Sequence, residues 1–193
     1  MERETIVAII LAAGQGRRMN TKVQKQYLLL NGYPILYYSL KAFQESPADE
    51  IIVVAGAPEL DYCQKEIVER YGFSKVKAVV SGGKERYHSV YQGLKAAGEP
   101  DYVLIHDGAR PLVTPEIIER NLADARRYGA SVAGMPVKDT VKLADEEGFT
   151  SFTPDRNRVW MVQTPQTFSF PLIFDAYRQL IEKETAGQEI SVT

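Results

Sequence analysis

The run Ile6-Val7-Ala8-Ile9-Ile10-Leu11, breaking into Ala12-Ala13-Gly14-Gln15-Gly16, decides how the rest of the chain is read. Continuous apolar character over 6–11 predicts a strand buried on both faces, as in a parallel sheet. A buried strand that feeds a glycine loop exposes a row of backbone N–H groups, which suits anionic oxygens. Arg17 and Arg18 follow at once and Lys25 soon after, adding full positive charge to the same corner. The combination predicts a polyphosphate site; the structural alternative is a tight strand-to-helix turn with solvated arginines. Two common phosphate loops do not fit. A P-loop ends in Gly-Lys-Ser/Thr, which does not occur here. A dinucleotide fingerprint needs a third glycine where Met19 stands and an acidic residue about 20 positions on, where this chain has Asn31 and Gly32. A NAD-binding oxidoreductase is therefore disfavoured.

Outward from that stretch, strand and helix signals alternate. Apolar β-rich runs at 50–55, 75–80, 101–106 and 130–135 predict further buried strands. Between them lie helical stripes: Ile35, Leu36, Leu40 and Phe43; then Leu60, Cys63, Ile67 and Tyr71, closed by Gly72; then Val90, Leu94 and Ala97, closed by Gly98. Thr114-Pro115 supplies a cap residue and a proline at the first helical position for a fourth helix, which carries Ile118, Leu122 and Ala125 and ends near Gly129. Ser169 caps a fifth, with Leu172, Ile173, Ala176, Tyr177, Leu180 and Ile181. Repeated βαβ units predict an α/β fold with a mostly parallel sheet flanked by helices. Residues 137–168 break this rhythm. Asp139-Thr140-Val141-Lys142-Leu143 alternates, Asp145-Glu146-Glu147-Gly148 signals a turn, and Phe149-Thr150-Ser151-Phe152 follows, which together predict a β-hairpin or extended arm. An arm of that kind buries itself poorly alone, so packing on a second subunit is expected. A surface hairpin on a monomer is the alternative.

Composition narrows the function classes. The 193 residues, 45% of them hydrophobic, supply one sizeable core and predict one domain. Twenty-three basic against 25 acidic residues leave a net charge of −2, which gives no overall drive toward nucleic acid or a membrane surface. Binding of anions must then come from a local cluster. The single cysteine, Cys63, excludes an internal disulfide and reads as a buried small apolar residue. No apolar stretch approaches the roughly 18 residues of a membrane span, and the first residues enter a strand without a basic leader, so a cytoplasmic protein is expected.

Three further constellations fall where chemistry is expected. Ser81-Gly82-Gly83-Lys84-Glu85-Arg86 ends the third strand; its glycines allow close backbone approach to a ligand, and Ser89 stands one turn on as a donor. His106-Asp107-Gly108-Ala109-Arg110-Pro111 ends the fourth, at the carboxyl edge where open α/β sheets bind ligands. Asp107 suits a metal or a substrate hydroxyl, and Arg110 suits bidentate capture of phosphate. His106 reads as a structural hydrogen-bonding residue and His88 as a helix-start residue. Asp155-Arg156-Asn157-Arg158 and Gln163-Thr164-Pro165-Gln166 are the remaining polar clusters. No Ser–His–Asp arrangement or Cys cluster stands out, which favours transfer at phosphorus over acyl hydrolysis. Such transfer needs mainly positioning and charge neutralisation.

Taken in order, Leu11-Ala12-Ala13-Gly14-x-Gly16-x-Arg18-Met19 with Lys25-Gln26-Tyr27 resembles the signature of nucleotidyltransferases acting on sugar or polyol phosphates. Gly82-Gly83-x-Glu85-Arg86-x-x-Ser89, His106 to Pro111, Asp139-Thr140, Asp155-Arg156-Asn157 and Gln163-Thr164-Pro165-Gln166 narrow the resemblance to the 2-C-methyl-D-erythritol 4-phosphate cytidylyltransferase family of the non-mevalonate isoprenoid pathway. The resemblance implies a Rossmann-like nucleotidyltransferase fold with a protruding β-hairpin dimerisation arm at about 137–168. It implies transfer from CTP to methylerythritol phosphate, with Mg²⁺ bridging the CTP phosphates and no nucleic acid or membrane partner. Arg18, Lys25 and Arg156 match catalytic positions, and Ala12, Ala13, Gly14, Gly83 and Ser89 match nucleotide-contacting ones. Asp107, Arg110, Thr140 and Thr164 match positions around the methylerythritol phosphate. In a homodimer joined through the arm, Thr140 and Arg156 would serve the partner's site. The family pattern has a proline where Leu11 stands in many members. It also runs on beyond Thr193 through a final strand and helix with a second substrate-phosphate lysine, so the single domain at 1–193 is expected to lack that strand and helix. A ribitol-5-phosphate cytidylyltransferase, a sugar-1-phosphate nucleotidyltransferase and a nucleotide-binding module without turnover remain the competing readings.

Overall fold

The computed structural model describes residues 3–14 and 23–190. Its centre is β1 (Ile6–Ala12), whose side chains alternate between two packed layers because a strand presents successive residues to opposite faces. Ala8 and Ile10 face one core with Leu36, Leu40, Phe43, Ile67, Ile118 and Leu122; Val7 and Ile9 face the other with Val90, Leu94 and Phe170. Both faces are covered, which explains why the strand reads as continuously apolar.

Six strands form the main sheet in the order β5 (Val76–Ser81), β4 (Glu50–Ala55), β1, β6 (Tyr102–Asp107), β10 (Trp160–Ser169), β7 (Ala130–Pro136). The four strands from β5 to β6 are parallel, and β10 runs antiparallel between β6 and β7. The helices α1 (Ile35–Gln44) and α4 (Pro115–Tyr128) cover one face, and α3 (Arg86–Ala97) and α5 (Phe170–Thr185) the other. Thr114 caps α4, its hydroxyl accepting from the Ile117 N–H, and Gly129 closes that helix at φ 81° in the left-handed region. The second helix begins as α2 (Leu60–Tyr62) and continues as a π-helix over Cys63–Glu69.

Two elements differ from the sequence expectation. The break in rhythm was expected to run from 137 to 168, but β10 belongs to the main sheet from Trp160 onward, pairing Phe168 with Val103 and Ala130. The protruding hairpin is β8 (Leu143–Ala144) with β9 (Thr150–Phe152). The strand was obscured because its outer half is solvent-exposed and its inner half polar, a consequence of lying near the sheet edge. A second hairpin, β2 (Leu29–Leu30) with β3 (Tyr33–Pro34), turns on Asn31 and Gly32, both at positive φ; that dipeptide is a strong hairpin signal. No helix among the described residues is long and apolar enough to cross a membrane.

Candidate active site

Strand order reverses at β1: the chain steps outward to β4 and β5, then returns to the far side of β1 as β6. Loops at the carboxyl ends therefore diverge and leave a crevice, where ligands bind in such sheets. Parallel register aligns those ends, with Leu11 opposite Asp107, Ala12 opposite Ala55, and Ala55 opposite Ser81. A cleft of about 890 Å³ opens there, lined by Ala13, Gly14, Lys25, Gln26, Gly83, Lys84, Glu85, Arg86, Ser89, Asp107, Ala109 and Arg110, with Leu11 at its floor. Segments far apart in sequence thus meet around one cavity. Lys25, Lys84, Arg86 and Arg110 against Glu85 and Asp107 make it basic, although the whole chain is slightly acidic.

The first loop is held from beneath. Gln26 is 3% exposed, and its side-chain amide donates to the Ala12 carbonyl at 2.6 Å and the Gly14 carbonyl at 3.1 Å. Lys25 and Tyr27 flank it in a 3₁₀ turn, Lys25–Tyr27. Ala12 is buried in the core, so among the described residues of this loop Ala13 and Gly14 line the cleft. Arg18 lies outside the described residues.

The second loop turns tightly. A Cβ at Gly83 would lie 2.3 Å from His88 Cβ, and one at Gly82 would lie 2.5 Å from Ala13 Cβ, so both positions require glycine. The Gly83 N–H donates to Ser89 Oγ at 3.1 Å, and that hydroxyl donates to the Glu85 carbonyl at 3.3 Å. Ser89 thus shapes the loop; among the described residues its hydroxyl bonds only backbone groups, not the base an activated nucleophile needs.

The third loop is electrostatic. Asp107 Oδ1 accepts from Arg86 at 3.1 Å and Oδ2 from Arg110 Nε at 2.9 Å, while Arg110 also donates to Gln163. Burial opposes ionisation of Asp107, but the Arg86 charge and the hydrogen bonds from Arg110 and Arg86 outweigh it and hold the carboxyl below its usual range. Behind it runs a directed chain. The Asp107 N–H donates to Thr164 Oγ1 at 3.2 Å, and that hydroxyl lies 2.9 Å from His106 Nδ1. His106 Nε2 lies 3.2 Å from the Arg110 carbonyl, which only accepts, so Nε2 carries the proton and Nδ1 receives the threonine hydroxyl. Burial pushes the His106 pKa down to about 4, in keeping with a neutral ring that orients groups and moves no proton.

Lys25, Ala13, Gly14, Gly83, Ser89, Asp107 and Arg110 therefore come together. Thr164 is buried behind Asp107, its hydroxyl already engaged. Thr140 is exposed in the loop before the hairpin, and Arg156 is exposed in the short turn Arg156–Arg158 that Asp155 caps; neither lines the cleft of its own chain. Sequence reasoning passed over Gln26 as a clamp and Arg86 as the partner of Asp107. Arg86 stood in a quoted motif, but its partner 21 residues away becomes adjacent only on folding.

The 2-C-methyl-D-erythritol 4-phosphate cytidylyltransferase family matches this chain over residues 6–192. A protein of that name from Lachnoclostridium phytofermentans is 48% identical over 183 residues, 95% of this chain and 78% of the relative. Among solved structures, the 4-diphosphocytidyl-2C-methyl-D-erythritol synthase of Anaerococcus prevotii is similar with a TM-score of 0.82 at 32% identity, covering 98% of this chain and 78% of that one. The 2-C-methyl-D-erythritol 4-phosphate cytidylyltransferase of Thermus thermophilus gives 0.68 at 29% identity, covering 95% and 79%.

Proposed function

The chain belongs to the 2-C-methyl-D-erythritol 4-phosphate cytidylyltransferase family, and from that premise we propose how its own residues divide the work. It is a cytidylyltransferase: CTP and 2-C-methyl-D-erythritol 4-phosphate give 4-diphosphocytidyl-2-C-methyl-D-erythritol and pyrophosphate. The ribitol phosphate and non-catalytic alternatives are not favoured. A phosphate oxygen of the acceptor attacks the α-phosphorus of CTP; a P–O bond forms there, and the bond to the pyrophosphate oxygen breaks. The nucleophile is already an anion, so no general base is needed. The difficulty is to bring two anions together.

The observation that carries this reading is the basic cleft of about 890 Å³ at the strand-order reversal, with two glycine loops on one side and the Asp107–Arg110 loop on the other. Ala13, Gly14, Gly83 and Ser89 hold the nucleotide, their tight backbones leaving room for a pyrimidine. Lys25, together with Arg18, neutralises charge on the α-phosphate and departing pyrophosphate. Asp107 and Arg110 meet the acceptor, and Thr164 positions Asp107 from behind.

Among the described residues no group of three or more His, Cys, Asp or Glu side chains is suited to a metal ion, and both Asp107 oxygens accept from arginine. Such a cleft fits a Mg²⁺ that arrives on the triphosphate, because Mg²⁺ keeps much of its water and leans on substrate phosphates. Asp107 and Glu85 are the carboxylates it would meet among the described cleft residues. Bound there, the ion supplies charge neutralisation on the phosphoryl oxygens.

The hairpin closes on a second copy. Leu143, Phe149, Phe152, Trp160 and Met161 are exposed along it and the adjoining strand, an apolar surface that calls for a partner. Thr140 and Arg156, remote from their own cleft, serve the partner's. The reaction, drawing on CTP, runs in the cytoplasm. The deciding experiment is pyrophosphate release with CTP and Mg²⁺, comparing methylerythritol phosphate with ribitol 5-phosphate. Release with the first alone is expected; release with ribitol phosphate, or none with either, overturns the reading.

A further inference from the structure

Glu184 lies outside the cleft, in the last turn of α5, yet its carboxylate reaches the first turn of α3, next to the loop that lines the cleft. Oε1 accepts from the Tyr87 hydroxyl at 2.7 Å, and Oε2 lies 2.8 Å from His88 Nε2. The other ring nitrogen of His88 faces the loop, with Nδ1 3.2 Å from the Glu85 backbone nitrogen. A backbone N–H only donates, so Nδ1 is the acceptor and Nε2 carries the proton that Glu184 receives. The Glu85 side chain in turn accepts from the His88 backbone N–H, closing a reciprocal cap on the first turn of α3. Gly83 packs against the same histidine, and its N–H donates to Ser89 Oγ. Glu184 therefore selects a tautomer, and the tautomer fixes loop backbone. The hydrogen bond from Tyr87, followed by the one from His88, holds the Glu184 carboxyl below its ordinary range, so it remains an anionic acceptor at neutral pH.

We infer that Glu184 is a positioning residue for the nucleotide: from a helix outside the cleft it sets, through His88, the backbone of the Gly83–Glu85 turn against which CTP binds. The inference rests on the reading that Gly83 and Ser89 meet the nucleotide. Tyr87 holds the same carboxylate, but its hydroxyl bonds Glu184 rather than the loop.

The test is steady-state kinetics with each substrate varied in turn, together with equilibrium binding of CTP, on Glu184→Ala, Glu184→Gln, Tyr87→Phe and Ser89→Ala. Glu184→Ala should raise KM and Kd for CTP about fivefold to tenfold, the loss of one charge-assisted hydrogen bond acting indirectly. It should leave kcat and the acceptor KM within about twofold. Glu184→Gln keeps an oxygen for the His88 Nε2–H and should return CTP binding toward the parent value. Tyr87→Phe should change CTP binding less than Glu184→Ala does. A lowered melting temperature with unchanged CTP binding, or equal rises in KM for both substrates, overturns the inference while Ser89→Ala still weakens CTP binding. If Ser89→Ala leaves CTP binding untouched, the assignment of the loop to the nucleotide fails first. Should Glu184→Ala not fold, His88→Ala against His88→Gln carries the same test, because glutamine keeps an oxygen for the Glu85 N–H; equal CTP binding by those two overturns it.

Discussion

The side chain of Gln26 donates to the backbone carbonyl of Ala12 at 2.6 Å, tying a buried amide to the exit of the central strand. The same nitrogen reaches the Gly14 carbonyl at 3.1 Å, so one side chain from the turn after the loop holds the start of that loop. Lys25, the adjacent residue, is delivered to the cleft by this anchorage.

Replacing Gln26 by Leu keeps the bulk and removes the donor. Two backbone carbonyls, one of them buried, and the Gln24 side-chain oxygen then lose this donor, which costs about 1–3 kcal/mol. For a chain of this length each kcal/mol lowers Tm by roughly 2–4 °C. Thermal denaturation should show that loss together with a lower kcat/KM. An unchanged Tm would mean that the loop holds itself.

Asp107→Asn leaves one amide oxygen where two carboxylate oxygens now serve Arg86 and Arg110. One of the two guanidinium groups loses its carboxylate acceptor, and charge-assisted hydrogen bonds contribute about 1.5–3 kcal/mol each. kcat/KM for methylerythritol phosphate should fall by about tenfold to a hundredfold, with a smaller change in KM for CTP. Equal losses for both substrates would assign Asp107 to the scaffold of the whole cleft instead.

His106 makes stability depend on pH with a definite sign. Its folded pKa is depressed from 6.5 to about 4 by burial, so between those values the unfolded chain binds more protons than the folded one. Its contribution is complete above pH 6.5 and is lost as pH falls through that window, in total roughly 3 kcal/mol. Urea denaturation from pH 7.5 to 4.5 should reveal a steeper loss for the parent than for His106→Asn. Parallel curves would show that the folded histidine takes up its proton as readily as the unfolded one.

The hairpin predicts an assembly. Phe149 and Phe152 are 69% and 58% exposed in the single chain. Phe152→Asp should turn a sedimenting dimer into a monomer and abolish most activity, because Thr140 and Arg156 would no longer reach a neighbouring cleft. A monomeric parent protein, or a monomeric variant with full activity, would remove the arm from the mechanism.

Much of this molecule was legible before folding was considered. The uninterrupted apolar run in β1, the Thr114-Pro115 start and the Gly129 stop are local signals with local causes: two buried faces, an unsatisfied N–H and a left-handed turn. The glycine loops and the Asp107–Arg110 segment could likewise be read as ligand loops, since each follows a strand. The strand β10 was not legible, because an antiparallel strand near the edge, exposed at one end, carries no periodicity of its own.

The sequence by itself determined the class of fold, the family and the residue types available for phosphate chemistry, because those follow from short-range pattern and motif order. Only the tertiary structure decided who meets whom. Arg86 and Asp107 are 21 residues apart, Asp107 and Thr164 57, and His88 and Glu184 96. Arg86 reaches Asp107 because β5 and β6 are strands of one parallel set and end at the same side of the sheet; Thr164 arrives on the antiparallel strand β10, and Glu184 on α5, which packs on the same face as α3. No local pattern encodes such encounters, since a hydrogen bond between distant residues requires the core beneath them to form first.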